Sequence, residues 1–340
     1  MPSVVYALDF SSWKRSSVRQ CFPGSKVKFI TNVTVVPAGG VLVVWGLRSV
    51  KEELAAEVQI VHLEDGFLRS VGLGADLVRP MSWVIDKLGL YYDATQPSDL
   101  EVLLAETVVT EALLGRAASL RKRIVDEGIT KYNVGNASWQ RPEGRSRVIL
   151  VPGQVESDAS LAYGAPKIST NIRLLQTVRE ANANAYVVYK PHPDVISGLR
   201  LKGLEEEDAQ GWCDEIVTNV TMESLLMAVD EVHVLTSLTG FEALLRGKAV
   251  TCYGQPFYAG WGLTFDVVPI LRRSRKLLLD ELVAGALINY PLYLSRHSMA
   301  LIAPEQALDE LLLWRANTDG IDPWWRTYFR MLLRCVVGVR

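Results

Sequence analysis

The sequence predicts an α/β protein of two Rossmann-like parallel-sheet domains with an intervening cleft. Three observations carry that expectation. Short β-branched runs alternate with helical patterns along the chain, as parallel sheets covered by helices require. A polar, glycine-containing stretch divides the alternation near its middle. The residues best suited to chemistry fall where strands should end, the place where ligands bind in such sheets.

The first half offers strands at 4–8, 26–30, 41–45 and 58–63. The second offers 147–151, 185–189, 231–235 and 249–253. Apolar residues at helical spacing mark 170–181 and 240–245. Ser98, with Glu101 three residues on, has capping-box spacing and opens a long helical pattern over 100–126. Residues 133–147 then turn polar before a strand begins at Val148. The expected units are 1–140, 148–300 and a C-terminal helical stretch, 301–340. Two parallel-sheet units across a cleft is the GT-B plan of many nucleotide-sugar transferases, although paired flavodoxin-like domains and periplasmic binders give the same alternation.

Composition narrows the class. The 340 residues are 49% hydrophobic and 22% charged, enough for real cores in a protein compatible with water. A net charge of −2 supplies no field for nucleic acid. No apolar run reaches the roughly 18–20 residues that span a bilayer, and residues 1–10 lack the basic-then-apolar order of a signal peptide. Cys21, Cys213, Cys252 and Cys335 are scattered without C-x-x-C pairing, which points to a reducing cytoplasm. Walker, G-x-S-x-G and D-x-D patterns are absent, as is metal-ligand spacing of His, Cys and Asp. The tail, IDPWWRTYFRMLLRCVVGVR (321–340), interleaves aromatic, aliphatic and Arg residues. It suits a helix at a membrane interface or one packed on the protein.

Four segments carry candidate chemistry. Glu64, Asp65 and Arg69 follow a strand, as a general base beside a charge-holding cation or as a solvated turn with an internal salt bridge. Gly153, Gln154 and Asp158 follow another; Asp158 suits a nucleophile, an ion-pair partner or a helix cap. Lys190 and His192 come next, His192 held stiffly between two prolines and suited to donating to a leaving phosphate. Finally, Thr236, Ser237 and Gly240 lead into a helix whose start favours anions, and Thr239 with Glu242 fits a capping box. Behind them, residues 254–262, including Tyr258, form a loop that either closes over a base or sugar or packs as an ordinary turn. His233 reads as a satisfied sheet histidine.

In order along the chain stand EDGFLRSVGLGADL (64–77), GLYYDAT (89–95), KYN (131–133), PGQVESDAS (152–160), YKPHPDV (189–195), TSLTGFEALLRGK (236–248) and GQPFYAGWGLT (254–264). This ordered set resembles the capsular-polysaccharide β-Kdo transferases of the KpsC type over roughly residues 5–300, most closely the second of their two tandem modules. Ser157 departs from the family, where an acidic residue is usual.

The resemblance implies a retaining, metal-independent GT-B enzyme without a cofactor. It would move β-Kdo from CMP-β-Kdo onto a Kdo-terminated lysophospholipid acceptor in capsule linker synthesis. By position, Asp158 would be the nucleophile and Glu64 the acid/base, with Asp65 its rival. Lys190 and His192 would hold the CMP phosphate with Thr236 and Ser237, and Glu242 would bind ribose. Arg69 and Lys190 are the candidates for the Kdo carboxylate; Gln154, Gly240 and Tyr258 complete the expected substrate site. Residues 1–140 would take the acceptor and 148–300 the donor. The basic aromatic tail would hold a cytoplasmic protein at the inner membrane, and a companion Kdo transferase module is an expected partner. The alternatives are a sialyl-type CMP-sugar transferase and a non-catalytic capsule assembly or export factor.

Overall fold

The computed structural model describes residues 2–50, 53–72 and 78–317. Its first sheet is laid down by β1 (Val4–Leu8), β2 (Lys26–Ile30), β3 (Val41–Trp45), β4 (Gln59–Asp65) and β5 (Ser82–Asp86), with α1 (Arg15–Cys21) joining the first two strands. Near-continuous apolar runs suit β1 and β3 to burial on both faces, and Val5, Ala7, Leu42, Val43 and Val44 are all fully buried.

Two helices follow, α2 (Asp99–Glu106) and α3 (Glu111–Asp126). The single helix expected over 100–126 is broken at residues 107–110, four β-branched side chains in a row that crowd a helical backbone. The Thr110 hydroxyl caps the restart by accepting from the Leu113 N–H at 3.3 Å.

The second sheet and its covering helices run β6 (Val148–Pro152), α4 (Ala159–Gly164), α5 (Asn171–Ala181), β7 (Tyr186–Lys190), α6 (Pro193–Ile196), β8 (Glu215–Ile216), α7 (Met222–Ala228), β9 (Glu231–Val234), α8 (Leu238–Leu245), β10 (Ala249–Cys252) and β11 (Phe265–Asp266). The strand order is β11-β10-β9-β6-β7-β8, with every pair parallel. This is the doubly wound nucleotide-binding order, and its switch point lies between β6 and β9.

After α9 (Leu279–Val283), the chain returns to the first sheet through β12 (Pro291–Leu294) and β13 (Leu301–Ile302), then ends its described course in α10 (Pro304–Ala316). The full first-sheet order is β13-β12-β5-β4-β3-β1-β2. Two expectations are corrected. The second unit does not extend to residue 300, because 291–302 belong to the first sheet. Nor is that sheet purely parallel, since β5 runs against β4 and β12 against β5. The reason is physical: β5 would otherwise expose a row of unpaired backbone groups, and β12 pairs them. Arg121 and Arg116 of α3 bond Asp280 and Glu305 at 2.7 Å each, fastening the returning segment from outside.

The two units share a core. Phe67 of the first stacks on Phe257 of the second, with ring centroids 4.5 Å apart. Ser98 caps α2 by accepting from the Glu101 N–H at 3.1 Å, but the Glu101 carboxylate does not close the box. It pairs instead with Arg272 and Arg273, and Arg273 also donates to the carbonyls of Pro256 and Ala259. The tail 321–340, with the helix expected from Pro323 onward, lies outside the described residues. Among those described, no helix is long and apolar enough to cross a membrane.

Candidate active site

Strand ends from both sheets line one cleft of about 490 Å³. On the first side, β1 leads into a turn carrying Lys14, and β3 ends at Trp45. These strands flank the switch point of the β2-β1-β3-β4 order, and the Lys14 ammonium rests on the Trp45 ring, 2.8 Å from its centroid. Burial lowers Lys14 to about 8, against the pull of Asp65 and Glu64.

Glu64 and Asp65 close β4 and have different environments. Burial and the neighbouring Asp65 charge push Glu64 up to about 7, despite a 2.9 Å bond from the Asp65 N–H and the nearby Lys14 and Lys131. Asp65 instead accepts from Arg69 Nε at 2.6 Å. Arg69 is 4% exposed and also donates to Ser70 Oγ at 3.0 Å, so much of its guanidinium is committed within the protein.

On the second side, the switch point between β6 and β9 is clamped by side chains. Gln154 Nε2 donates to Thr236 Oγ1 at 3.0 Å, and the Thr236 N–H donates to Gln154 Oε1 at 2.9 Å. Both residues line the cleft, yet the Gln154 amide serves mainly to join the two strand ends. Gly153 is required by close approach: a Cβ there would lie 2.6 Å from the Tyr189 hydroxyl.

Asp158 occupies the cap position of α4, but its carboxylate makes no cap hydrogen bond. It lines the cleft, where burial raises its pKa against the opposing charges of Arg200 and Lys131. His192 caps α6, with Nδ1 accepting from the Asp194 N–H at 3.2 Å. Burial first, then Lys131 and Arg200, lower its pKa to about 4. A neutral ring accepting at Nδ1 carries its proton on Nε2, leaving that N–H as the available donor. Lys190, lowered by burial to about 8, donates to the carbonyls of Val220 at 2.7 Å and Thr218 at 3.3 Å.

The cap of α8 is Ser237, whose Oγ accepts from the Thr239 N–H at 3.2 Å. The Thr239–Glu242 capping box expected from spacing is therefore corrected. Glu242, inside the helix, turns its carboxylate to the Lys131 N–H at 2.7 Å. Gly240 and Tyr258 lie behind the cleft rather than on its wall. The Tyr258 hydroxyl donates to the Ser237 carbonyl and occupies the space that a Cβ at Gly240 would need. Both hold the α8 start in place, and residues 254–262 act as a packed turn whose Phe257 reaches the cleft. Among the described residues, no three His, Cys, Asp or Glu side chains are grouped to hold a metal ion.

The family model described as "Capsule polysaccharide biosynthesis protein" matches residues 41–136 and 113–293. This chain belongs to that family. It is 43% identical over 330 residues to the capsule polysaccharide modification protein LipA of Neisseria meningitidis serogroup B, covering 93% of this chain and 47% of LipA. The chain thus spans about half the length of LipA. Lipopolysaccharide-processing protein LpsZ of Rhizobium meliloti is 40% identical over 307 residues, 85% of this chain and 70% of LpsZ. Among solved structures, Thermosulfurimonas dismutans KpsC, β-Kdo 2,7 transferase, aligns with a TM-score of 0.76 at 41% identity, covering 91% of this chain and 98% of that one. The β-Kdo 2,4 transferase of the same KpsC aligns at 0.80 and 30% identity, covering 92% and 99%. The two-sheet GT-B-like architecture is therefore that of the KpsC transferases.

The sequence reasoning missed several cations and aromatics of the cleft: Lys14, Trp45, Lys131, Tyr132 and Arg200. Lys131 and Tyr132 stand in the KYN segment, so a signal existed without a role. Lys14 and Trp45 are 31 residues apart in sequence and meet only because β1 and β3 are neighbours.

Proposed function

We propose that this chain is a retaining glycosyltransferase that moves β-Kdo from CMP-β-Kdo onto a Kdo-terminated lysophospholipid acceptor. The observation that carries the reading is the uncommitted Asp158 carboxylate, facing a cleft it shares with Glu64 from the other unit. In the first displacement, an Asp158 oxygen bonds the anomeric carbon as the bond to the phosphate oxygen breaks, and CMP leaves with that electron pair. In the second, an acceptor hydroxyl attacks the same carbon, Asp158 departs as carboxylate, and the hydroxyl proton passes to Glu64. Two inversions give retention. A carboxyl near 7 is matched to proton transfer at neutral pH, which favours Glu64 over the Arg69-paired Asp65.

Charge on the leaving phosphate would be met without a metal by the His192 Nε2–H and by the Thr236 and Ser237 hydroxyls at the start of α8. Kdo transfer by the similar KpsC modules supports the choice of sugar. A second transferase module, in a longer chain or a separate protein, would supply the other linkage. Recruitment to the inner-membrane surface through residues 321–340 belongs to the same proposal. Vesicle binding unchanged by truncation before Pro323 would overturn that part.

The decisive experiment incubates purified protein with CMP-Kdo and a short Kdo-terminated lipid acceptor, with mass-spectrometric readout. Gain of one Kdo, abolished in Asp158→Ala without a change in Tm, is expected. Near wild-type turnover in the variant would remove Asp158 as nucleophile, and no transfer by the wild type would overturn the activity.

A further inference from the structure

An acidic sugar nucleotide brings two anionic groups into the cleft, the phosphate and the carboxylate beside the anomeric carbon. The residues first suited to them are largely engaged elsewhere: Arg69 with Asp65 and Ser70, and Lys190 with two backbone carbonyls. Lys131 differs. It lines the cleft, and among the described residues no Asp or Glu forms an ion pair with its ammonium. Its ammonium lies 5.1 Å from the centroid of the Tyr132 ring. Burial opposes its charge, while Tyr132 and Asp65 hold the proton on. The net effect raises its pKa, so Lys131 presents a charged ammonium to the cleft.

The backbone around Lys131 explains how that cation is held. The Lys131 N–H donates to Glu242 of α8 at 2.7 Å, and Arg246 donates to the Ile129 carbonyl at 3.0 Å. On the other side, the Lys131 carbonyl accepts from the Ser70 N–H at 3.2 Å, and the Tyr132 carbonyl from the Gly72 N–H at 2.8 Å. Asn133 Nδ2 adds a bond to the Ser70 carbonyl at 3.0 Å. Segment 129–133 is thus tied to both units at once. Its one ammonium is felt by Glu64, Asp158, His192 and Glu242, whereas Lys14 acts on Glu64 and Arg200 on Asp158 and His192.

We propose that Lys131 receives the anionic group of the donor, and that segment 129–133 fixes it at the junction of the two units. The assignment rests on the acidic-sugar-nucleotide reading and adds the residue that recognises its charge. The bonds that hold the segment come from backbone atoms and Asn133, so Lys131→Met removes the cation without cutting them.

The test compares wild type, Lys131→Met and Lys131→Arg by calorimetric titration with CMP and by transfer kinetics with CMP-Kdo, alongside Tm. The expected loss in kcat/KM for Lys131→Met is on the order of 10²-fold, at unchanged Tm and partly restored in Lys131→Arg. Weaker CMP binding in Lys131→Met would place the ammonium on the phosphate. Unchanged CMP binding with impaired use of CMP-Kdo would place it on the sugar carboxylate. Unchanged kinetics, or a loss that tracks a fall in Tm, overturns the assignment while the donor reading stands. A wild-type protein that binds neither CMP nor CMP-Kdo overturns the donor reading and the assignment together.

Discussion

Replacing Glu64 by Gln should raise stability and abolish activity, and both effects follow from one carboxyl. Burial and Asp65 lift Glu64 from its ordinary 4.5 to about 7 in the folded protein. Between those values the folded state keeps a proton that the unfolded chain has released. Stability contributed by the protonated group is therefore complete below about pH 4.5 and falls as pH rises, levelling above about 7. At about 1.4 kcal/mol per pH unit, the accumulated loss is about 3 kcal/mol. Gln keeps the acceptor for the Asp65 N–H and never ionises. Glu64→Gln should match the wild type near pH 4 and exceed it by about 3 kcal/mol at pH 8. Urea unfolding of both proteins at several pH values between 4 and 8 isolates the group, because other carboxyls cancel in the difference. Parallel curves across that range would refute the raised pKa and the burial argument beneath it. Transfer by the wild type should climb with pH to a plateau above about 7, as a base that must be ionised requires. The variant should show no such limb.

Two further perturbations separate structural from chemical roles. Glu101 is 7% exposed and balances Arg272 and Arg273 between the units, so Glu101→Ala should destabilise by about 3–5 kcal/mol, read as a lower urea midpoint; a shift under about 1 kcal/mol would show the pair to be solvated. His192→Asn keeps a good helix cap but removes the Nε2–H, so turnover should fall on the order of 10²–10³-fold at unchanged Tm. Because His192 is held neutral above about 4, its contribution to donor affinity should stay flat from about pH 5 to 8. A titration of binding near pH 6.5 that disappears in the variant would contradict this.

What could be seen in the sequence was local. Short β-branched runs located eight of the ten strands that pair in parallel, and helical spacing over 170–181 located α5. Asp158, Glu64 and His192 were visible because they follow such strands directly. The antiparallel strands β5 and β12 escaped, as did β8, β11 and β13, which have two residues each, too few for any period to register.

The sequence by itself determined the α/β class, the two-unit plan, and several of the loops that line the cleft, because strand and helix periods repeat over a few residues. Tertiary structure decided what each side chain does there. Whether Asp158 caps or faces the cleft, which carboxylate Arg69 holds, and whether Glu242 closes a box or grips a backbone 111 positions away depend on long-range neighbours. The crossing of β12 to cover β5 is decided in the same way. Hydrogen bonds, burial and charge are set by distance in space, and contacts between remote segments leave no period in the chain.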